Sequence, residues 1–197
     1  DNVLREAKEA NIPVIVIDRN IITSDENLYT GYIGTNFEEE GRNAARFLLQ
    51  KFAGISKNFN ILEISGTENS SAAVGRYNGF REVINTDNRF KIIHSQNGDF
   101  LRSKGKEILD NIILQNKKNS PNQNHITINQ NKIDIIFSHN DGMTLGILDS
   151  LKNNNIASGK DLVIISIDAE QAAIDALKDR RINCVVECNR KIGRRGM

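Results

Sequence analysis

The feature that most constrains the fold is a regular alternation of short apolar segments with amphipathic segments of helical length. The apolar segments are rich in isoleucine and valine, and most are followed by a helical pattern rather than by a tight turn. Strands that are joined through helices run parallel, and helices cover both faces of their sheet. The alternation therefore predicts an α/β fold with a doubly wound parallel sheet.

Local signals give the limits of the expected elements. Asn11 and Pro13 end the first helix, since both residues are common just beyond a helix C-terminus. The expected helices are residues 2–10, 35–52, 70–85, 102–116, 142–154 and 170–179. The expected strands are residues 14–18, 29–35, 59–65, 90–96, 133–140, 161–168 and 182–188.

The stretch VIVIDRN, residues 14–20, ends an apolar strand with two opposite charges. Four consecutive branched aliphatic residues are typical of a strand that is buried on both faces at the centre of a parallel sheet. Ligands of such sheets lie outside the carboxyl ends of the strands. Asp18 and Arg19 stand at such an end, which predicts a polar ligand beside them.

Other polar residues also follow or end the expected strands. Carboxylates accept two hydrogen bonds and a guanidinium donates a planar fork, so these groups together suit the neighbouring hydroxyls of a neutral polyol. A single charge at such a place is often a helix cap or half of an ion pair, whereas several from separate strands favour a binding site. The residues are Gly66, Thr67, Asn140, Asp141, Asp168 and Glu187, with Arg76 about two turns into the helix after Thr67.

Motifs for catalysis are not found in the sequence. It contains no G-x-S-x-G nucleophile elbow, no G-x-x-x-x-G-K-[ST] phosphate loop, and no G-x-G-x-x-G that follows a strand. We therefore expect a binding protein rather than an enzyme, with no cofactor. Cys184 and Cys188 are expected to be free thiols, and the three histidines do not supply an obvious metal site.

Charge and hydropathy limit the partners. A net charge of +1 gives no reason to expect nucleic acid, and no apolar run approaches the roughly 20 residues that span a bilayer.

Residues 116–131 interrupt the alternation of strands and helices, because they are rich in Asn and Gln and lack an apolar period. They therefore predict an extended surface insertion. The run Glu38–Glu40 predicts a solvated first turn near the positive end of a helix dipole.

Five motifs, in order along nearly the whole chain, resemble sugar-binding proteins of bacterial ABC transporters with the type I periplasmic-binding-protein fold. The resemblance is to the ribose and galactose group, and above all to its galactofuranose-binding branch. It implies a monosaccharide ligand, a membrane permease as partner, and a periplasmic or extracellular, membrane-associated location. The motifs are LREAKEANIPVIVIDRNI, GRYNGFREVI, SQNGDFLRSKGKEIL, SHNDGMTLGILDSLK and GKDLVIISIDA.

The resemblance also implies which residues contact the sugar. Each would hydrogen-bond a hydroxyl group or the ring oxygen, and most of them are also reached from their places at strand ends. The identity of the sugar, galactose-like, galactofuranose-like or ribose-like, is left open. The implied contacts are Asp18, Arg19, Arg76, Asn140, Asp168 and Glu187.

Members of that family have two lobes, with the ligand in the cleft between them. By the resemblance, residues 1–35 correspond to a fragment of the N-terminal lobe, 36–188 to a nearly complete C-terminal lobe, and 189–197 to an atypical tail. The expectation is a truncated chain that binds sugar weakly by itself, with the aromatic platform for the sugar coming mainly from outside it. Because an apolar strand with unpaired edges recruits other chains, self-association through residues 1–35 is also expected.

One alternative from another class shares this fold. The chain could be the sugar-sensing core of a transcription regulator of the lactose-repressor family, whose DNA-binding helix-turn-helix would lie elsewhere. The segment NGDFLRSKGKEIL favours the transporter interpretation.

Overall fold

The computed structural model describes residues 2–21, 23–119, 125–189 and 191–193. The chain divides into two compact units, one formed by Asp1–Asn36 with Asn189–Met197 and the other by Phe37–Cys188. Within the part of the chain that the structure describes, no helix combines the length and the apolar character needed to cross a membrane.

The predicted helices and strands are confirmed, with ends that differ by a few residues. The helices are α1 (Asn2–Glu9), α2 (Phe37–Lys51), α3 (Ser71–Ile84), α4 (Arg102–Asn119), α5 (Asp141–Asn153) and α6 (Gln171–Lys178), with a short 3-10 helix at Glu26–Leu28. The strands are β1 (Ile15–Ile17), β2 (Gly31–Gly34), β3 (Phe59–Ser65), β4 (Phe90–Asn97), β5 (Thr127–Ile128), β6 (Asn131–Lys132), β7 (Ile135–Ser138), β8 (Val163–Asp168), β9 (Cys184–Glu187) and β10 (Lys191–Gly193).

The smaller unit contains a three-stranded sheet in the order β1–β2–β10, with β1 parallel and β10 antiparallel to β2. Only one face of β1 is buried: Val16 is 7% exposed, whereas Ile15 is 60% and Ile17 is 67% exposed. The expectation of a strand buried on both faces is therefore wrong for this structure. The physical reason is that, among the described residues, the apolar cluster of this unit covers only the face of β1 that carries Val16.

The larger unit is built on a five-stranded sheet in the order β4–β3–β7–β8–β9, and every neighbouring pair is parallel. Residues of α2 and α3 share one apolar core with one face of this sheet. Residues of α4, α5 and α6 share a second core with the other face. The predicted doubly wound parallel sheet is confirmed, and it explains why the strands are apolar on both faces.

Glycines allow α2 and α3 to pack with their backbones almost in contact. A Cβ atom on Gly41 would lie 2.3 Å from the carbonyl oxygen of Arg76, and one on Gly79 would lie 1.9 Å from that of Glu38. A side chain at either position would push the helices apart. This close approach sets the distance between the first turn of α2 and the guanidinium group of Arg76.

The Asn-rich segment is more ordered than the sequence predicts. Helix α4 continues to Asn119, residues 120–124 lie outside the described residues, and β5 and β6 form an antiparallel hairpin. Asn129 and Gln130 have φ angles of 49° and 67°, the left-handed pair that a tight two-residue hairpin turn requires. Most described residues of this segment are exposed, as a surface insertion predicts, whereas Ile126 is 2% exposed and packs into the core that α4 shares with the sheet.

Candidate functional site

Arg76 is the buried centre of the polar residues at the carboxyl edge of the five-stranded sheet. Its side chain is 4% exposed, and three of its nitrogen atoms have protein partners. Nε donates to Oε2 of Glu40 at 2.8 Å, and Nη2 donates to Oδ1 of Asp168 at 2.9 Å. Nη1 donates to the backbone carbonyl of His139 at 2.5 Å. The guanidinium group is thus held in one orientation between two carboxylates and a carbonyl.

The position of Glu40 contradicts one expectation. Residues Glu38–Glu40 were expected to form a solvated turn, but Glu40 is 4% exposed and paired with Arg76. The helical spacing could have predicted the burial of Glu40, because this residue lies on the same face of α2 as the buried residues Phe37 and Ala44. The capping pattern alone did not show that this face packs against α3.

Two aromatic rings lie close to the same guanidinium group. The Cζ atom of Arg76 is 5.6 Å from the ring centroid of Phe37 and 5.8 Å from that of Phe100. Phe100 has a φ angle of 60°, which is unusual for a bulky residue and marks a constrained backbone position. Its ring lies against Gly66, where a Cβ atom would come within 1.9 Å of the ring. Phe100 was not among the ligand contacts predicted from the sequence. Its position directly after the turn NGD, beyond β4, could have indicated that it lies at this edge of the sheet.

The Asp168 carboxylate stands at the end of β8 in a constrained backbone. Asp168 has a φ of 127° and Ala169 a φ of 70°. Asp141 holds this turn, because one carboxylate oxygen accepts from the Glu170 N–H at 2.6 Å and the other from the Ser166 hydroxyl. Burial raises the pKa of Asp141. Asp141 is 0% exposed, so it stabilises the turn from the protein interior and does not face a ligand.

The charge state of Asp168 is set by opposing effects. Burial raises its pKa, Arg76 lowers it, and the nearby carboxylates of Asp141 and Glu40 raise it again, with a result of about 6. The side chain is 28% exposed, so the carboxylate is accessible although it is paired with Arg76. A carboxylate with this exposure can accept hydrogen bonds from the hydroxyls of a ligand.

Asn140 and Glu187 lie at the same edge but in different roles. Asn140 caps α5: its side-chain oxygen accepts from the Met143 N–H at 3.0 Å, and its amide nitrogen donates to the Phe100 carbonyl at 3.3 Å. Glu187 is exposed at the end of β9, directly opposite Asp168 in the strand register. The structure thus brings Arg76 and Asp168 into contact and places the other two predicted residues of this unit on the same edge.

Asp18 and Arg19 belong to the smaller unit, where they follow β1 as predicted. Asp18 has a φ of 67°, its N–H donates to the Ile33 carbonyl at 2.8 Å, and its own carbonyl accepts from the Tyr32 hydroxyl at 2.7 Å. These bonds fix the backbone at the strand end. Their role as ligand contacts stays a prediction.

Cys184 and Cys188 are free thiols. Burial raises the pKa of Cys184 to about 11. Among the described residues, no group of three or more His, Cys, Asp or Glu side chains is placed to hold a metal ion.

The comparisons with known proteins agree with this architecture. A family model described as a periplasmic binding protein domain matches residues 1–195. The chain belongs to this family. The resemblance that the sequence motifs carry is thereby confirmed.

Three similar proteins have names that refer to furanose sugars. Galactofuranose-binding protein YtfQ of Escherichia coli (strain K12) is 35% identical over 185 residues, which cover 94% of this chain and 54% of YtfQ. A crystal structure from Mycobacterium smegmatis in complex with β-D-fucofuranose has 36% identity and a TM-score of 0.83, covering 96% of this chain and 58% of that one. The periplasmic component of the arabinose ABC transporter from Shewanella sp. ANA-3, bound to α- and β-L-arabinofuranose, has 36% identity and a TM-score of 0.82, covering 95% and 57%.

The chain therefore spans little more than half the length of these relatives. These matches give no support to the lactose-repressor alternative.

Proposed function

We propose that this protein is the substrate-binding component of a bacterial ABC sugar importer and that its ligand is a monosaccharide in the furanose form. The observation that carries the proposal is the buried Arg76–Asp168 pair, held at the carboxyl edge of a parallel sheet with the carboxylate still accessible. The names of the similar proteins support the sugar class. A membrane permease and a periplasmic or extracellular, membrane-associated location belong to the same proposal.

The chemistry of the edge fits a neutral polyol. Asp168 uses one oxygen for Arg76, so its second oxygen can accept a sugar hydroxyl. Phe100 offers an apolar ring beside the guanidinium group, and the C–H face of a sugar ring can pack against such a surface. Asn140 and Glu187 complete the proposed contacts in the larger unit, and Asp18 and Arg19 supply those in the smaller unit. No nucleophile or cofactor is part of the proposal, which is for binding without reaction.

A pair of locked sugars tests the ligand class. Methyl β-D-galactofuranoside and methyl β-D-galactopyranoside carry the same atoms, but their rings cannot interconvert. We expect the furanoside to produce saturable chemical-shift changes in the ¹⁵N-labelled protein at Gly66, Asn140 and Ala169, and the pyranoside to produce far smaller ones. An amino acid that saturates the same amides, with no response to any sugar, would refute the proposal.

Matched variants test the site. Arg76→Lys keeps the charge but loses the planar fork, and Asp168→Asn keeps the shape but loses the charge. Each should weaken furanoside binding by about 2–4 kcal/mol, roughly 30-fold or more, because Lys cannot make all three bonds of Arg76 and the Asn amide nitrogen cannot accept a sugar hydroxyl. Arg102→Lys and Asp149→Asn alter an exposed ion pair of 2.8 Å on α4 and α5 and should leave affinity unchanged. Equal affinities in all four variants would remove Arg76 and Asp168 from the site.

A further inference from the structure

A second group of polar residues is buried directly behind Arg76. Its centre is Glu63 in β3, which is 0% exposed and lies within the parallel sheet. The Arg81 guanidinium group donates to both of its carboxylate oxygens at 2.7 Å, and the Ser95 hydroxyl donates at 2.6 Å. Burial alone would raise the pKa of Glu63, but the hydrogen bonds from Arg81, His139 and Ser95 outweigh it and lower the pKa to about 2.

His139 connects this group to Arg76. Nε2 of His139 lies 3.1 Å from Oε1 of Glu63, and the Gly66 N–H donates to Nδ1 at 3.4 Å. With Nδ1 as an acceptor, the ring proton lies on Nε2 and is donated to Glu63. Burial lowers the pKa of His139, as do the charges of Arg76 and Arg81, against the effect of Glu63. Because Nδ1 accepts from Gly66, the imidazole carries its proton on Nε2 alone, and a neighbour on each side sets this tautomer.

The backbone of the same residue holds the candidate site. The His139 carbonyl accepts from Nη1 of Arg76, and the His139 N–H donates to the Ile64 carbonyl at 3.0 Å. The imidazole that contacts Glu63 and Gly66 and the carbonyl that accepts from Arg76 thus belong to one residue, which lies between β7 and α5. Glu63 and His139 are both 0% exposed, so neither can touch a ligand directly.

On the basis of the proposed function, we propose that His139 is a positioning residue: its neutral imidazole, anchored by Glu63, fixes the orientation of Arg76 for the sugar. Stability alone is a weak reason for this arrangement, because buried ion pairs are often no more stabilising than apolar side chains of similar volume. An apolar cluster would fill the same space, but it could not fix the direction of a carbonyl and a guanidinium group.

The first test needs no ligand. Long-range ¹H–¹⁵N NMR spectra of the wild-type protein should show His139 as the neutral Nε2–H tautomer at pH 7, together with a sharp Nε–H signal from Arg76. In Glu63→Gln, the Arg76 signal should shift or broaden. An imidazolium, an Nδ1–H tautomer, or an Arg76 signal that is the same in both proteins would overturn the proposal.

The second test measures furanoside affinity alongside unfolding. His139→Leu should weaken binding by about tenfold or more, while His139→Gln, whose amide can donate to Glu63, should restore it to within about threefold of wild type. Ser95→Ala is the matched control, since it removes a bond to Glu63 without touching His139, and its affinity should be unchanged. Variants that lose stability but keep wild-type affinity would assign His139 a purely structural role and refute positioning.

The two proposals can fail separately. If the wild-type protein binds no sugar, the proposed function fails, while the NMR comparison still decides whether His139 orients Arg76. If the wild-type protein binds the furanoside and His139→Leu binds it equally well, only the positioning proposal fails.

Discussion

Replacing Asp168 by asparagine should remove a destabilising charge from the folded protein at neutral pH. The carboxylate is partly buried and lies near Asp141 and Glu40, and these effects outweigh the attraction of Arg76 at 2.9 Å. Asparagine has nearly the same shape and cannot ionise. The substitution therefore isolates the free energy of carrying a negative charge at this position.

The magnitude follows from the pKa of Asp168, which is raised from 3.8 to about 6. At 1.36 kcal/mol for each unit, this corresponds to about 3 kcal/mol. The folded state binds the proton more tightly than the unfolded state, so stability falls as pH rises from about 4 to about 6. The destabilisation is absent below the unfolded pKa and fully present above the folded one. The unfolding free energy of Asp168→Asn minus that of wild type should thus grow by about 3 kcal/mol between pH 3 and pH 7.

Urea unfolding of both proteins at several pH values in this range measures the difference. Asn153→Ala, a neutral change on the exposed surface of α5, is the control, and its difference from wild type should be flat with pH. A difference between Asp168→Asn and wild type that shrinks as pH rises would refute the reasoning. That result would mean that Arg76 dominates and that the pKa of Asp168 is below its ordinary value.

Two further predictions concern packing and association. Gly79→Ala should destabilise the protein by about 1–3 kcal/mol in thermal unfolding, because the new Cβ would lie 1.9 Å from a backbone oxygen of α2. Gly31→Ala is the control and should be nearly neutral, because a Cβ there would have nothing within 4 Å. Equal destabilisation by the two substitutions would contradict the close contact of α2 and α3. The chain should self-associate, as a dimer, through the exposed edge strand of Ile15 and Ile17, so lysine at both positions should lower the mass found by light scattering. Leu114→Lys, at an aliphatic residue of α4 that is 53% exposed, is the control and should leave the mass unchanged. A wild-type chain that is monomeric at every concentration would count against the prediction.

The sequence by itself determined the parallel sheet, the family and the order of the main helices and strands, but not β5, β6 or β10. Hydrophobic periodicity is a local property, and the carboxyl ends of parallel strands meet at one edge whatever the details of packing. For this reason Arg76 and Asp168, 92 residues apart, could be assigned to one edge before their contact was known. The motifs that carry the family resemblance are equally local, and the match over residues 1–195 confirms them.

Burial and partner choice were decided by the tertiary structure. The pattern of α2 did not show that Glu40 is buried against Arg76, because that depends on the close approach of α3, which the small size of Gly41 and Gly79 permits. In the same way, the four aliphatic residues beginning at Val14 indicate a strand suited to burial, whereas the exposure of Ile15 and Ile17 depends on which other segments pack against it. Local sequence sets the shape and polarity of a helix or strand. Its contacts depend on residues far away in the chain, and no local pattern records where those residues lie after folding.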